Sequence, residues 1–96
     1  MKEVDVPQDP AAISPAYAME RIFTEIRDKR AYQDQKWGGP EHDDSVETED
    51  SWIKYINEYA SGKGRAEGRD FRERMIHVAA LAVAAIQSFD RKQKTA

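Results

Sequence analysis

Two stretches of the chain concentrate the side chains that could do chemistry. The first is YQDQKWGGPEHDD, residues 32–44, where Lys36 and Trp37 stand against a Gly-Gly-Pro break and His42, Asp43 and Asp44 follow it. A turn needs only the glycines and the proline, which supply unusual φ and stop a helix. The ammonium, the indole and the His-Asp-Asp triplet exceed that need. An indole stacked on a flat ligand, beside an ammonium that neutralises an anion, suits a nucleotide. The structural alternative is that Lys36 complements the negative end of a helix dipole while Trp37 plugs the side of a core against Trp52 or Tyr55. His42, Asp43 and Asp44 could ligate a metal, but neighbouring residues rarely converge on one ion, and a solvated acidic helix start is the plainer reading.

The second stretch lies downstream. Asp70, Glu73 and His77 recur at i, i+3 and i+7, which places them on one helix face, and Glu58 comes from the helix before. Together they form a candidate set for a divalent cation. The alternative makes Asp70 and Glu73 a capping pair and His77 a hydrogen-bonded core histidine. Between them runs the basic loop from Lys63 to Arg74, with Arg65, Arg69 and Arg74 as candidate anion-binding residues alongside Lys36, Trp37 and His42. Near Trp37 this loop would complete a phosphate pocket without metal; far from it, the loop would be a patch for an acidic partner. No Ser-His-acid set, P-loop or paired-cysteine motif is visible.

The elements that position these residues read as all-α. Residues 1–14 carry prolines at 7 and 10 and little apolar content, an extended or disordered leader ahead of a single domain over 15–92 and a polar tail over 93–96. Ser14 with Pro15 starts a first helix, with Met19, Ile22, Phe23 and Ile26 at helical spacing, expected to run to about Gln35. Asp44 followed by Glu47 offers a cap for a second helix with Trp52, Ile53, Ile56, Tyr59 and Ala60 on its apolar face. Glycines 62, 64 and 68 make SGKGRAEGRD a loop, and a third main helix runs from about Asp70 to about Lys92. Its VAALAVAAI run, residues 78–86, is apolar on every side, which two other helices cannot cover. A helical bundle completed by homo-oligomerisation, as a dimer or tetramer, is the expected solution.

Composition bounds the function. A 96-residue chain without cysteine is one domain with neither disulfides nor thiolate chemistry, and a reducing cytoplasm is its natural setting. A net charge of −3 and a pI near 5.4 argue against general nucleic-acid binding. The longest apolar run is far too short to cross a bilayer, so no membrane association is expected.

In combination, QDQKWG at 33–38, SWIKYINEY at 51–59 and RMIHVAALAVAAIQSFDR at 74–91 resemble the three blocks of the MazG-like all-α nucleoside-triphosphate pyrophosphohydrolases, above all their small, often phage-encoded relatives. The resemblance covers about residues 26 to 92. It implies a helical homo-oligomer that splits a nucleoside triphosphate between the α- and β-phosphates. It also implies Mg²⁺ held by a Glu-Glu-x-x-Glu run on one helix and a Glu-x-x-Asp pair on the next. This chain departs from that pattern: the first block reads NEYAS and keeps only Glu58, and the second pair falls on Arg74 and His77. Two functions are therefore carried forward. One is a nucleotide- or anion-binding relative of these enzymes with weak or no hydrolysis, with Mg²⁺ re-sited to Glu58, Asp70, Glu73 and His77 if it is catalytic. The other is a non-catalytic phage accessory or regulatory protein acting through a protein partner.

Overall fold

A computed structural model describes residues 14–95; residues 1–13 of the expected leader lie outside the described residues. Four α-helices and no strand occur among them: α1 Pro15–Trp37, α2 Gly39–Val46, α3 Glu49–Ser61 and α4 Phe71–Thr95, with one 3-10 turn at Gly64–Ala66. The chain is all-α. No described helix is long and apolar enough to cross a membrane.

The helix ends follow local chemistry. The Ser14 side chain accepts from the Tyr17 N–H and Pro15 opens α1, while Gly38 at φ +108° closes it with its N–H on the Asp34 carbonyl. The expected first loop is in part a helix: α2 starts at Gly39, directly after that corner, with Pro40 in its first turn. The expected cap of the next helix shifts accordingly. Thr48, not Asp44, caps α3, and Thr48 and Ser51 exchange side-chain and backbone hydrogen bonds in a capping box. Asp44 lies inside α2 and reaches across to α4, where it accepts from Ser88 Oγ at 2.8 Å and from Arg91 Nε and Nη2, each at 2.9 Å. Gly62 at φ +74° ends α3, Asp70 Oδ1 accepts from the Glu73 N–H at 2.8 Å to start α4, and α4 continues past Lys92 to Thr95.

The buried hydrophobic residues are Trp52 and Tyr59 of α3, Ala66 of the 3-10 turn, and Ala80, Leu81 and Ala84 of α4. Tyr55, Ile56, Val78 and Ala85 pack against this cluster. Each buried ring contributes ~1.5–3 kcal/mol by removal from water. α4 is the common support, because α1, α2 and α3 all pack on it. It is not buried all round within one chain: Val83, Ile86 and Phe89 are exposed, the last two at 60% and 52%. Only Ile26 of the expected α1 apolar face is half-buried; Met19, Ile22 and Phe23 are exposed.

Glu58 organises the α3–α4 connection. Its carbonyl accepts from the N–H groups of Gly62 and Lys63, and its carboxylate stands 3.0 Å from Arg65 Nε. Gly64 sits at φ +58°, and a Cβ there would lie 2.6 Å from Glu58 Oε2. Gly64→Ala combines left-handed strain with that collision and is expected to cost ~2 kcal/mol or more. Gly68→Ala, at φ +84° with nothing within 4 Å, suffers the strain alone. Urea denaturation of the two variants should therefore give a lower midpoint for Gly64→Ala than for Gly68→Ala.

Candidate functional site

The C-terminal half of α1 carries Lys29, Tyr32, Gln33 and Lys36 at i, i+3, i+4 and i+7, so one face presents two ammoniums around a phenol ring. Lys29 Nζ lies 5.3 Å and Lys36 Nζ 5.8 Å from the Tyr32 ring centroid, and Lys36 Nζ is also 5.2 Å from the Trp37 ring. This ledge borders a cleft of about 290 Å³ to which all four helices and the α3–α4 loop contribute. Lys36, Trp37, His42, Arg65, Arg69 and His77 all line it. The basic loop is thus brought to Trp37 through Arg65 and Arg69.

The remaining candidates stand elsewhere. Arg74 is not in the cleft; its Nη1 is 3.4 Å from the Ala60 carbonyl and its guanidinium lies near the Phe71 ring, so it serves the C-terminal end of α3. The set Glu58, Asp70, Glu73 and His77 is not assembled around a common point. Glu58 faces Arg65, Asp70 caps α4, and Glu73 accepts from Arg69 Nη1 at 2.6 Å. No group of three His, Asp or Glu side chains that could hold a metal occurs among the described residues. Mg²⁺ demands several oxygen ligands in octahedral array, and carboxylates already committed to guanidiniums and a helix cap do not fit it. His42, Asp43 and Asp44 also diverge, towards Glu47, Arg30 and Arg91 respectively.

Trp37 is not buried against Trp52 or Tyr55. It is 50% exposed, because Gly38 turns the chain immediately after it and leaves the indole on the rim of the cleft. Trp52 and Tyr55 instead meet edge to face, with ring centroids 6.4 Å apart.

Most charges of the cleft are matched by the protein itself. Arg30 Nη2 is 2.8 Å from Asp34 Oδ1 and 3.9 Å from Asp43 Oδ2. Arg65 pairs with Glu58 and Arg69 with Glu73. Arg65 lies over the Tyr55 ring and Arg69 over Tyr59. Burial pushes the Asp43 carboxyl above its ordinary range despite Arg30, and Asp43 Oδ2 has no hydrogen-bond partner. Lys29 and Arg30 are site residues that the motifs did not single out, and the helical spacing on α1 was the available signal for them; Asp43, read as part of an acidic triplet, lines the cleft instead.

His77 forms part of the wall. Its ring stacks on Tyr59 with centroids 4.3 Å apart and planes 9° from parallel. It is 5% exposed, and neither ring nitrogen has a hydrogen-bond partner; Nε2 is 3.9 Å from Glu73 Oε1. Burial, helped by Lys29 and Arg69 and opposed by Glu73, lowers its pKa from 6.5 to about 4. The imidazole is neutral at pH 7.

A stability profile follows. Because the folded pKa is below the unfolded one, the unfolded chain takes the proton first as pH falls. The contribution is whole above pH 6.5 and is lost progressively towards pH 4, by up to ~3 kcal/mol. His77→Phe keeps a ring against Tyr59 and removes both unpartnered nitrogens, so it should raise the melting temperature. It should also flatten the fall in stability between pH 6.5 and 4, read by thermal denaturation across that range.

Compared with known proteins, the chain matches no family model, no curated protein and no solved structure.

Proposed function

We propose that this chain is a MazG-like helical protein whose cleft binds a nucleotide or a related flat anion and hydrolyses it weakly or not at all. The supporting observation is the convergence of Lys36, Trp37, His42, Arg65, Arg69 and His77, residues drawn from separate parts of the chain, on one concave site. Sites for small molecules are usually concave, with aromatic walls and a few placed polar groups. Tyr32 and Trp37, each about half exposed, offer stacking faces at the rim, and the ammoniums beside them supply positive charge without a metal. Weak catalysis follows from the carboxylates: a two-metal site needs several acids free to ligate, and here Glu58 and Glu73 each face an arginine.

Purified protein incubated with ribo- and deoxyribonucleoside triphosphates and Mg²⁺ or Mn²⁺ is expected to release little pyrophosphate, with no further drop in Glu58→Ala or Glu73→Ala. Robust turnover abolished by either substitution would overturn the non-catalytic part of this reading.

The reading includes self-association through α4. Ile53, Val83, Ile86 and Phe89 leave apolar surface uncovered beside a second groove formed by α3 and α4. Light scattering at micromolar concentration should give a dimer or tetramer mass for the wild type and a monomer for Ile86→Arg. A monomeric wild type would leave this surface to another protein, the regulatory alternative.

A further inference from the structure

The charge inventory of the cleft limits its ligand. Arg30, Arg65 and Arg69 each have a carboxylate within 4 Å, whereas neither Lys29 nor Lys36 has an acidic partner among the described residues. The cationic groups of the cleft without a carboxylate within 4 Å are therefore the two ammoniums, both on the aromatic ledge at the rim, while the buried carboxylates of Asp43 and Glu47 also line the cleft. A triphosphate brings about twice the charge that two lysines offset, and its excess would face the carboxylates that hold the arginines.

Size points the same way. At about 290 Å³ the cleft stands at the lower edge of the range for small-molecule sites. Its interior is polar as well as aromatic. Asp43 and His77, 7% and 5% exposed, both retain hydrogen-bonding atoms without a partner just behind the cleft surface, which a heteroaromatic ring can reach by a small shift of the wall and a hydrocarbon cannot satisfy.

Building on the nucleotide reading above, we propose that the ligand is a flat heteroaromatic group bearing a single phosphate, of the nucleoside-monophosphate class, and that the site selects against the triphosphate. The ring extends inward from the Tyr32 and Trp37 faces, and the phosphate meets Lys29 and Lys36 at the rim. The two lysines thereby set how many phosphates are accepted.

Calorimetric titration of the full chain in magnesium-free buffer tests this. The probes are the adenine, guanine, cytosine and uracil nucleosides, their mono-, di- and triphosphates, and inorganic phosphate. The preferred monophosphate should bind at least ~10-fold more tightly than its own triphosphate and its own nucleoside. Replacing Lys29 and Lys36 together by Met should bring the monophosphate down to the affinity of the nucleoside while leaving nucleoside binding in place. A triphosphate that binds most tightly would overturn the inference and leave the nucleotide cleft standing. So would a nucleoside that equals its monophosphate. Inorganic phosphate binding as well as the monophosphate would remove the ring from the proposal. If no probe binds, this inference and the nucleotide reading fall together.

Discussion

The structure depends on how closely the other helices can approach α4. Ala80 and Ala84 are essentially inaccessible to solvent, and Ser88, one turn further on, is buried too. Small side chains at this spacing form a shallow strip along α4, the helix on which α1, α2 and α3 all pack. The large rings come from the opposing side, as Trp52 and Tyr59 of α3, so bulk on one helix meets its absence on another. Such an arrangement buries few atoms per residue. Much of the molecule is consequently closed by polar contacts, among them the Asp44 carboxylate between Ser88 and Arg91 and the Glu25 carboxylate of α1 that accepts from Arg72 of α4.

The cleft is where this closure is incomplete. His77 widens α4 just before the alanine strip, and its ring fills space beside Tyr59 without finding a hydrogen-bond partner. Polar atoms left in that state reduce stability, and a wall that carries several of them has traded packing for a surface that can be recognised. The ion pairs around it keep the guanidiniums in place over Tyr55 and Tyr59. The positive charge available to a ligand is in this way moved outward, to the lysines of the ledge.

Much of the helical layout was legible because the signals were local. Ser14-Pro15, Gly62 and Asp70 each marked a helix end through chemistry confined to a few residues. α2 was not legible: Gly39 and Pro40 read as a loop, although proline in a first turn is the same signal that located α1. Asp44 misled for a related reason, since its spacing to Glu47 imitates a capping box and only the fold reveals Arg91 as its partner. Lys36, Trp37, His42, Arg65, Arg69 and His77 were identified as candidates one by one, but their meeting in one cleft depends on long-range packing. Arg74 could not be separated from Arg65 and Arg69 by sequence, because what distinguishes it is a carbonyl at the end of α3.

The connection pinned by Glu58 has a bearing on how the molecule assembles. It joins α3 to α4 across a short loop, so their packing requires little loss of chain entropy. Bringing α1 and α2 onto α4 is different in kind: Arg72 meets Glu25, and Asp44 meets Arg91, across 47 residues in each case. The α3–α4 hairpin therefore carries the smaller closure entropy, and the contacts of α1 and α2 with α4 the larger. The cleft takes its walls from both halves and exists only where they meet. Removing the α1 contacts would take away one wall of the cleft while leaving the packing of α3 on α4 in place.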